Sequence, residues 1–537
     1  MRRSHRIPIL IAGISALALA ACSGPSNGKS DQSGQSGPKA TLNLFMYQKP
    51  VGVFGPLASA SGPDQEVNSL IYDTLLLADS QGKLVPMAAT AAPTVSADGK
   101  TITYKLKPGL KWSDGQALTS KDLVFTYTRA ADTNTVGAWS TYLTNVEGVA
   151  DFEAGKAKTI AGFSAPDAQT FVIKQSVPDV GLVGRVSAIG ILPEHTLATL
   201  PIKDFGSNAW FRKPTVVSGP FTFVDYKTDQ FVHVTANPKF REPVGVKDVY
   251  VKPVTADVAT QELSTGEMDI AWISADDVKT VEGFSNVAVD EVKVPGFVRA
   301  AWNQQEARFK DPRVRQAFLY AVDRAGLVDS ALQGHGVVAN DILDPIWAGT
   351  DINQYPYDPA KAKELLKAAN WDSSKVVKLS WVPGGNPDRD AAATVLQQQL
   401  NEVGIKLKLD QVQSSWFTSA YKNHSFDMVL FGGGDYKTEP SNIGPPTGCS
   451  NWVPDGPNVG SYCNKQLDAL VAQAAGVVDP EQRAAIWKQA AKIENADPSM
   501  MWLYSLNNLF GVNKRVQGFQ PLNNTNWFEP WKWTVAG

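Results

Sequence analysis

The chain has 537 residues, 43% apolar and 19% charged, with a formal net charge of −3. That balance carries no electrostatic footprint for nucleic acid, and the length exceeds what a single core fills, so two or three domains are expected. Three cysteines occur, and cysteines without close His or further Cys do not make a zinc set.

Arg2, Arg3 and Arg6 precede a short apolar run over residues 7–19, which leads into Leu19-Ala20-Ala21-Cys22. A basic start, a short apolar stretch and small residues before a cleavage point predict a signal peptide over residues 1–21. The run falls well short of the ~20 residues that a transmembrane helix needs. The Cys after Leu-Ala-Ala resembles the lipobox of bacterial lipoproteins. That resemblance implies cleavage before Cys22, lipidation of its thiol, and a protein anchored on the cell membrane facing outside or the periplasm. A plain signal peptide with an incidental Cys is the alternative. Residues 22–40 read as a lipidated flexible linker. Residues 23–39 hold no aliphatic or aromatic side chain, so they predict a leash of about 20–25 Å.

Residues 41–46 alternate around Leu42, Leu44 and Met46 and predict a strand, and residues 68–77 predict a helix. Asp98-Gly99 is a hairpin signal, and the strict alternation over residues 101–107 is that of a half-buried strand. Asp114-Gly115 marks a second turn. Thr119-Ser120-Lys121-Asp122 has capping-box spacing and opens a helix through Thr128. Residues 163–252 read mostly as strand and turn, with His233 structural in an alternating strand. In the second half, Asp311-Pro312, Asp358-Pro359 and Asp479-Pro480 each set an N-cap acid before a Pro at the first helical position. Residues 391–403 predict a helix stopped by Gly404. Residues 405–409 and 426–431 predict strands, the latter running into Gly432-Gly433-Gly434. Alternating helices and strands argue for an α/β lobe. Cys449 and Cys463 frame a loop rich in Pro, Gly, Asn and Ser that has little else to hold it. A disulfide is expected there, adding about 3 kcal/mol by loop entropy; two free thiols are the alternative.

Residues 96–130, SADGKTITYKLKPGLKWSDGQALTSKDLVFTYTRA, resemble the signature of the extracellular solute-binding proteins of family five. These are the oligopeptide- and dipeptide-binding subunits of ABC importers. Further matches follow in order: Ser218-Gly219-Pro220-Phe221 with Asn237, then residues 263–270, then Asp311-Pro312 through Asp323-Arg324. Tyr357-Asp358-Pro359 comes next, then Phe426-Asp427 to Asp435-Tyr436 and Pro440. The resemblance spans roughly residues 42–506. It implies an α/β, periplasmic-binding-protein-like fold (type II, cluster C) of two hinge-bending lobes plus an inserted β-rich domain. Lobe I would take residues 41–73, 214–296 and 507–537, the insert residues 74–213, and lobe II residues 297–506.

The implied function is capture of di- to oligopeptides in the cleft between lobes and delivery to the ABC permease transmembrane subunits with their ATPase. A monomer is expected, without cofactor, metal or nucleic acid. By the same resemblance Asp435 holds the ligand's α-ammonium group, while Gly433 and Gly434 offer backbone groups and Tyr436 a ring. Trp416 would line a side-chain pocket, and Trp302, Asn303, Asn451 and Trp452 are weaker candidates for the cleft. A turn Asp bonded to its own backbone is the alternative for Asp435, and a core or surface Trp that for Trp416. The same fold also serves oligosaccharides and metal or metallophore complexes, and 15 Trp leave sugar stacking open. A secreted hydrolase is the alternative of another class. No His-Glu-x-x-His pair or Gly-x-Ser-x-Gly elbow occurs, no pair of acids stands out as a glycosidase couple, and no catalytic residue is expected.

Overall fold

A computed structural model describes residues 40–137, 139–293, 296–383, 387–433, 439–522 and 527–536. The first strand, Thr41–Met46, forms as its alternation requires, with Leu42, Leu44 and Met46 fully buried. It pairs in parallel with Asp248–Pro253 on one side and Ile270–Ile273 on the other. The helix Ala256–Thr265 crosses between those two strands; Thr255 caps it and Gly266, at a φ of +79°, ends it in the left-handed region.

These strands belong to one twelve-stranded sheet. From one edge its main path runs Lys406–Gln411, Val376–Trp381, Met428–Gly433, Phe297–Trp302, Met501–Asn513, Ile270–Ile273, Thr41–Met46, Asp248–Pro253, Phe231–Ala236 and Phe221–Lys227. Met501–Asn513 is shared. Its first half pairs with Phe297–Trp302 and Gly336–Val338, its second half with Ile270–Ile273 and Val287–Lys293. The chain thus passes between the two halves of the sheet along this strand and between Lys293 and Phe297. The cores divide in the same way. One joins Leu42 and Val251 to Trp533, while two others hold only residues between Phe297 and Tyr504.

The stretch between Tyr72 and Val217 adds a four-stranded antiparallel sheet, in the order Thr94–Val95, Thr101–Lys105, Thr170–Lys174, Phe163–Asp167. Gly99, at φ +70°, turns the hairpin where Asp98-Gly99 predicted it. The helix Ser120–Ala130 begins with the expected capping box, Thr119 N–H donating to Asp122 at 2.8 Å. From that helix Tyr127 packs on Phe171 at 4.9 Å and donates its hydroxyl to Val186 O at 2.8 Å.

The three Asp-Pro helices start where expected, as Pro312–Tyr320, Pro359–Ala368 and Pro480–Ala496, each with its Asp accepting a first-turn N–H. Other expectations shift. The helix placed at 68–77 is Gly62–Ile71, followed by a strand Leu76–Ala78. The Ser218-Gly219 turn runs over its end: Gly219 N–H donates to Ile71 O at 2.8 Å, and a Cβ at Gly219 would meet Ile71 C at 2.5 Å. A distant segment therefore ends this helix. Residues 163–252 also contain two short helices, Leu182–Val186 and Glu194–Leu197, and two 3-10 turns. The helix expected at 391–403 starts earlier, as Pro387–Glu402, and the strands at 405–409 and 426–431 are Lys406–Gln411 and Met428–Gly433. No helix among the described residues is long and apolar enough to cross a membrane.

Candidate functional site

In open α/β sheets ligands lie beyond the carboxyl ends of parallel strands. Three such strands stand together here: Val376–Trp381 pairs in parallel with Lys406–Gln411 and with Met428–Gly433. Gly433 closes the last of them at a φ of +115°, exposed, with open space where a Cβ would stand. Its carbonyl accepts from the buried Arg299 guanidinium, which also donates to Phe297 O at 3.2 Å and covers the Phe431 ring at 4.6 Å. Gly434, Asp435 and Tyr436 lie outside the described residues. Trp416 sits in the first turn of Ser414–Asn423, half-buried, edge-on to Phe417 at 5.3 Å.

The other sequence candidates stand elsewhere. Trp302 is fully buried against Phe318 at 5.8 Å, in a core. Asn303 spends its amide inside the same body, donating to His424 O and Phe426 O at 2.9 Å each, so it braces the approach to Met428–Gly433. Asn451 and Trp452 belong to the loop that Cys449 and Cys463 close with a disulfide. That loop is better held than its composition suggests. Asn458 donates to Gly448 O at 2.9 Å and Tyr462 O at 2.8 Å, and the Trp452 indole donates to Tyr462 O at 3.0 Å.

A cavity of about 490 Å³ opens beside the crossing between the sheet halves. Gln81 reaches it from the Leu76–Pro86 hairpin and Lys293 from the strand before the crossing. Phe297, Val338, Asn340, Asp344, Ile346, Gln354 and Ser505 supply the other walls. Of the described candidates, none of Gly433, Trp416, Trp302, Asn303, Asn451 and Trp452 lines it. Arg324 holds its wall, donating to Gln354 O and Tyr355 O at 2.8 Å each, and burial pulls its guanidinium down to about 10. Asp341 at the cavity is wholly buried. Burial first, then the Glu494 charge, hold its carboxyl well above the ordinary range. Glu494 is raised too, chiefly by burial, although its Oε1 accepts from Ser499 N, Ser499 Oγ and Trp502 Nε1.

Two polar clusters bridge the halves. Arg185 pairs with Asp179 and donates to Ser441 Oγ, while Glu439 pairs with Arg483; Val180 N–H donates to Ala475 O at 2.9 Å. Burial raises the Asp179 carboxyl although Arg185 opposes it. Near the crossing, His335 Nδ1 lies 3.2 Å from Glu291 Oε2, and Asn507 N–H donates to His335 O at 3.2 Å. The sequence reading reached Pro440 but not the Glu439 beside it. No local pattern marks a residue whose partners lie on another body.

The model of the bacterial extracellular solute-binding proteins, family 5 Middle, matches residues 83–453. The chain belongs to this family. It is 27% identical to the oligopeptide-binding protein AppA of Bacillus subtilis over 562 residues, covering 100% of this chain and 99% of that one. It is 26% identical to heme-binding protein A of Haemophilus influenzae over 538 residues, 94% of each chain. The solved structure of the Bacillus subtilis AppA in complex with a nonapeptide aligns with a TM-score of 0.75 at 25% identity, covering 93% of this chain and 100% of that chain. For a family 5 protein the shared sheet has a direct meaning. It is two α/β lobes joined through Met501–Asn513, with the four-stranded Thr94–Lys174 sheet as the added β-rich domain.

Proposed function

We propose that this chain is the substrate-binding lipoprotein of an ABC importer and captures di- to oligopeptides between its lobes. The observation that carries the reading is the convergence of three segments on one space. Gln81 of the insert, Lys293 of lobe I and the 337–354 wall of lobe II share a cavity, in a chain that aligns end to end with an oligopeptide-binding protein. Lobe boundaries at residues 73/74, 213/214, 296/297 and 506/507 follow this reading. Closure over a ligand excludes water and strengthens each charged contact inside. The bound solute is released unaltered to the permease, and Cys22 carries the lipid that keeps the protein at the membrane.

Asp435 is assigned to the ligand's α-ammonium group, with Gly433, Gly434 and Tyr436 beside it and Trp416 at a side-chain pocket. A charge-assisted bond of this sort contributes about 1.5–3 kcal/mol. Asp435→Ala is therefore expected to weaken peptide binding at least about tenfold, and N-acetylated peptides to bind the unaltered protein as poorly. Titration calorimetry decides: equal affinity in both experiments removes Asp435 from the site. Mass spectrometry of the solute that co-purifies identifies the cargo and reports any chemical change to it.

A further inference from the structure

We infer that the chain carries a second binding site, a small pocket that takes a carboxamide group. The pocket lies where the helix Gly62–Ile71 meets the C-terminal segment, and its volume is about 60 Å³. Asn68 and Tyr72 of the helix, Met87, Trp527 and Trp531 form its walls. It shares no residue with the 490 Å³ cavity. The backbone N–H of Trp527 donates to Ser69 Oγ at 3.2 Å, which pins the C-terminal segment to the helix beside Asn68.

Three polar atoms of this wall have no partner among the described residues. They are Oδ1 and Nδ2 of Asn68 and Nε1 of Trp527, all buried. The two residues are 4% and 6% exposed. The neighbouring polar groups of the wall are engaged. The Tyr72 hydroxyl donates to Phe54 O at 3.1 Å. Asp73 pairs with Arg241 and accepts from Thr74 N–H at 3.0 Å, and Glu529 accepts from Lys532 at 2.5 Å. Both carboxylates already have their cations, so the wall asks for a neutral ligand.

A buried donor or acceptor without a partner is costly, and here three line one space. An Asn amide shows an acceptor and a pair of donors whichever way it is turned, and an indole N–H only donates. Their complement is a carbonyl oxygen, whose two lone pairs accept from Asn68 Nδ2 and Trp527 Nε1, with an N–H beside it for Asn68 Oδ1. A carboxamide carries that set on one planar group. A carboxylate lacks the N–H, and an ammonium lacks the oxygen. Size agrees: a water needs about 10–15 Å³ on this measure, so the pocket takes about four heavy atoms, as many as acetamide has. Such a group comes from two sources, a free small amide or the Asn or Gln side chain of a peptide.

The test is NMR of the full chain with labelled indole nitrogens, in which the Trp527 signal is the one that Trp527→Phe removes. Acetamide is expected to shift that signal saturably, with a Kd of about a millimolar for so small a ligand. Acetate and N,N-dimethylacetamide are expected to bind at least about tenfold more weakly. Asn68→Leu keeps the side-chain volume and removes two unpaired atoms, so it is expected to lose the acetamide shift with its melting temperature equal or higher. Gly-Gln-Gly acting at lower concentration than acetamide, with Gly-Glu-Gly inactive, names a peptide side chain as the source; acetamide acting alone names a free amide. No saturable shift, an equal response to acetate, or a response retained in Asn68→Leu overturns the inference and leaves the pocket to ordered water. Should Asn68→Leu fail to fold, the contrast between acetamide and acetate on the unaltered protein decides. The inference is independent of the peptide reading above, which stands or falls on its own calorimetry.

Discussion

Glu66 shows what a single side chain can do to stability. It is buried in the helix Gly62–Ile71, its Oε2 has no partner among the described residues, and burial pushes its carboxyl up to about 8. The folded state therefore binds this proton more tightly than the unfolded one. Its contribution is fully present below the ordinary glutamate range, fades as pH climbs toward 8, and is gone above that. The loss by neutral pH is roughly 3 kcal/mol. Glu66→Gln is expected to raise the melting temperature at pH 8 and to leave it nearly unchanged at pH 4.5, which thermal melts at the two pH values check. The caps of the three Asp-Pro helices were legible in the sequence because the interaction spans only three residues. The burial of Glu66 was not, since distant segments create it. Trp302 and Asn303 teach the same lesson: the motif located them, but only packing shows that one is core and the other a brace.

At the scale of elements, alternation and turn signals placed Thr41–Met46, the Asp98-Gly99 hairpin and the crossover strands within a few residues. The helix Gly62–Ile71 was misplaced because the Ser218-Gly219 turn ends it, and nothing near residue 71 records that. The disulfide loop is the converse case. Its composition promised little order, yet Asn458 and Trp452 hold it from within. Removing the bridge should therefore cost about what loop entropy predicts and no more. The double variant Cys449→Ser, Cys463→Ser is expected to lose roughly 3 kcal/mol in urea unfolding, with the Trp452 fluorescence of the native state preserved. A shifted native spectrum would show that the loop depends on its staple.

Across the whole molecule the decisive contacts are those between bodies. Arg185 and Asp179 face Ser441, Glu439 and Arg483 from a distant part of the chain, all with side chains largely removed from water. Removing one partner of a buried pair strands the other, at a cost of about 3–5 kcal/mol. Arg185→Gln is expected to leave Asp179 without its cation, loosen the bridge and raise the radius of gyration in small-angle scattering, with weaker ligand binding. An unchanged scattering curve would show that the hinge strands alone set the lobes' arrangement. Such bridges are invisible to local patterns because their partners are about 250 positions apart in the chain.

The shared strand Met501–Asn513 also governs the order in which the protein can be completed. Neither half of the sheet is complete until Met501 has left the ribosome, because this last long strand is the neighbour that Phe297–Trp302 and Ile270–Ile273 both await. A nascent chain of this design stays unfinished on both sides for nearly the whole of its synthesis. An export channel that engages the chain during synthesis therefore meets the twelve-stranded sheet before it is complete.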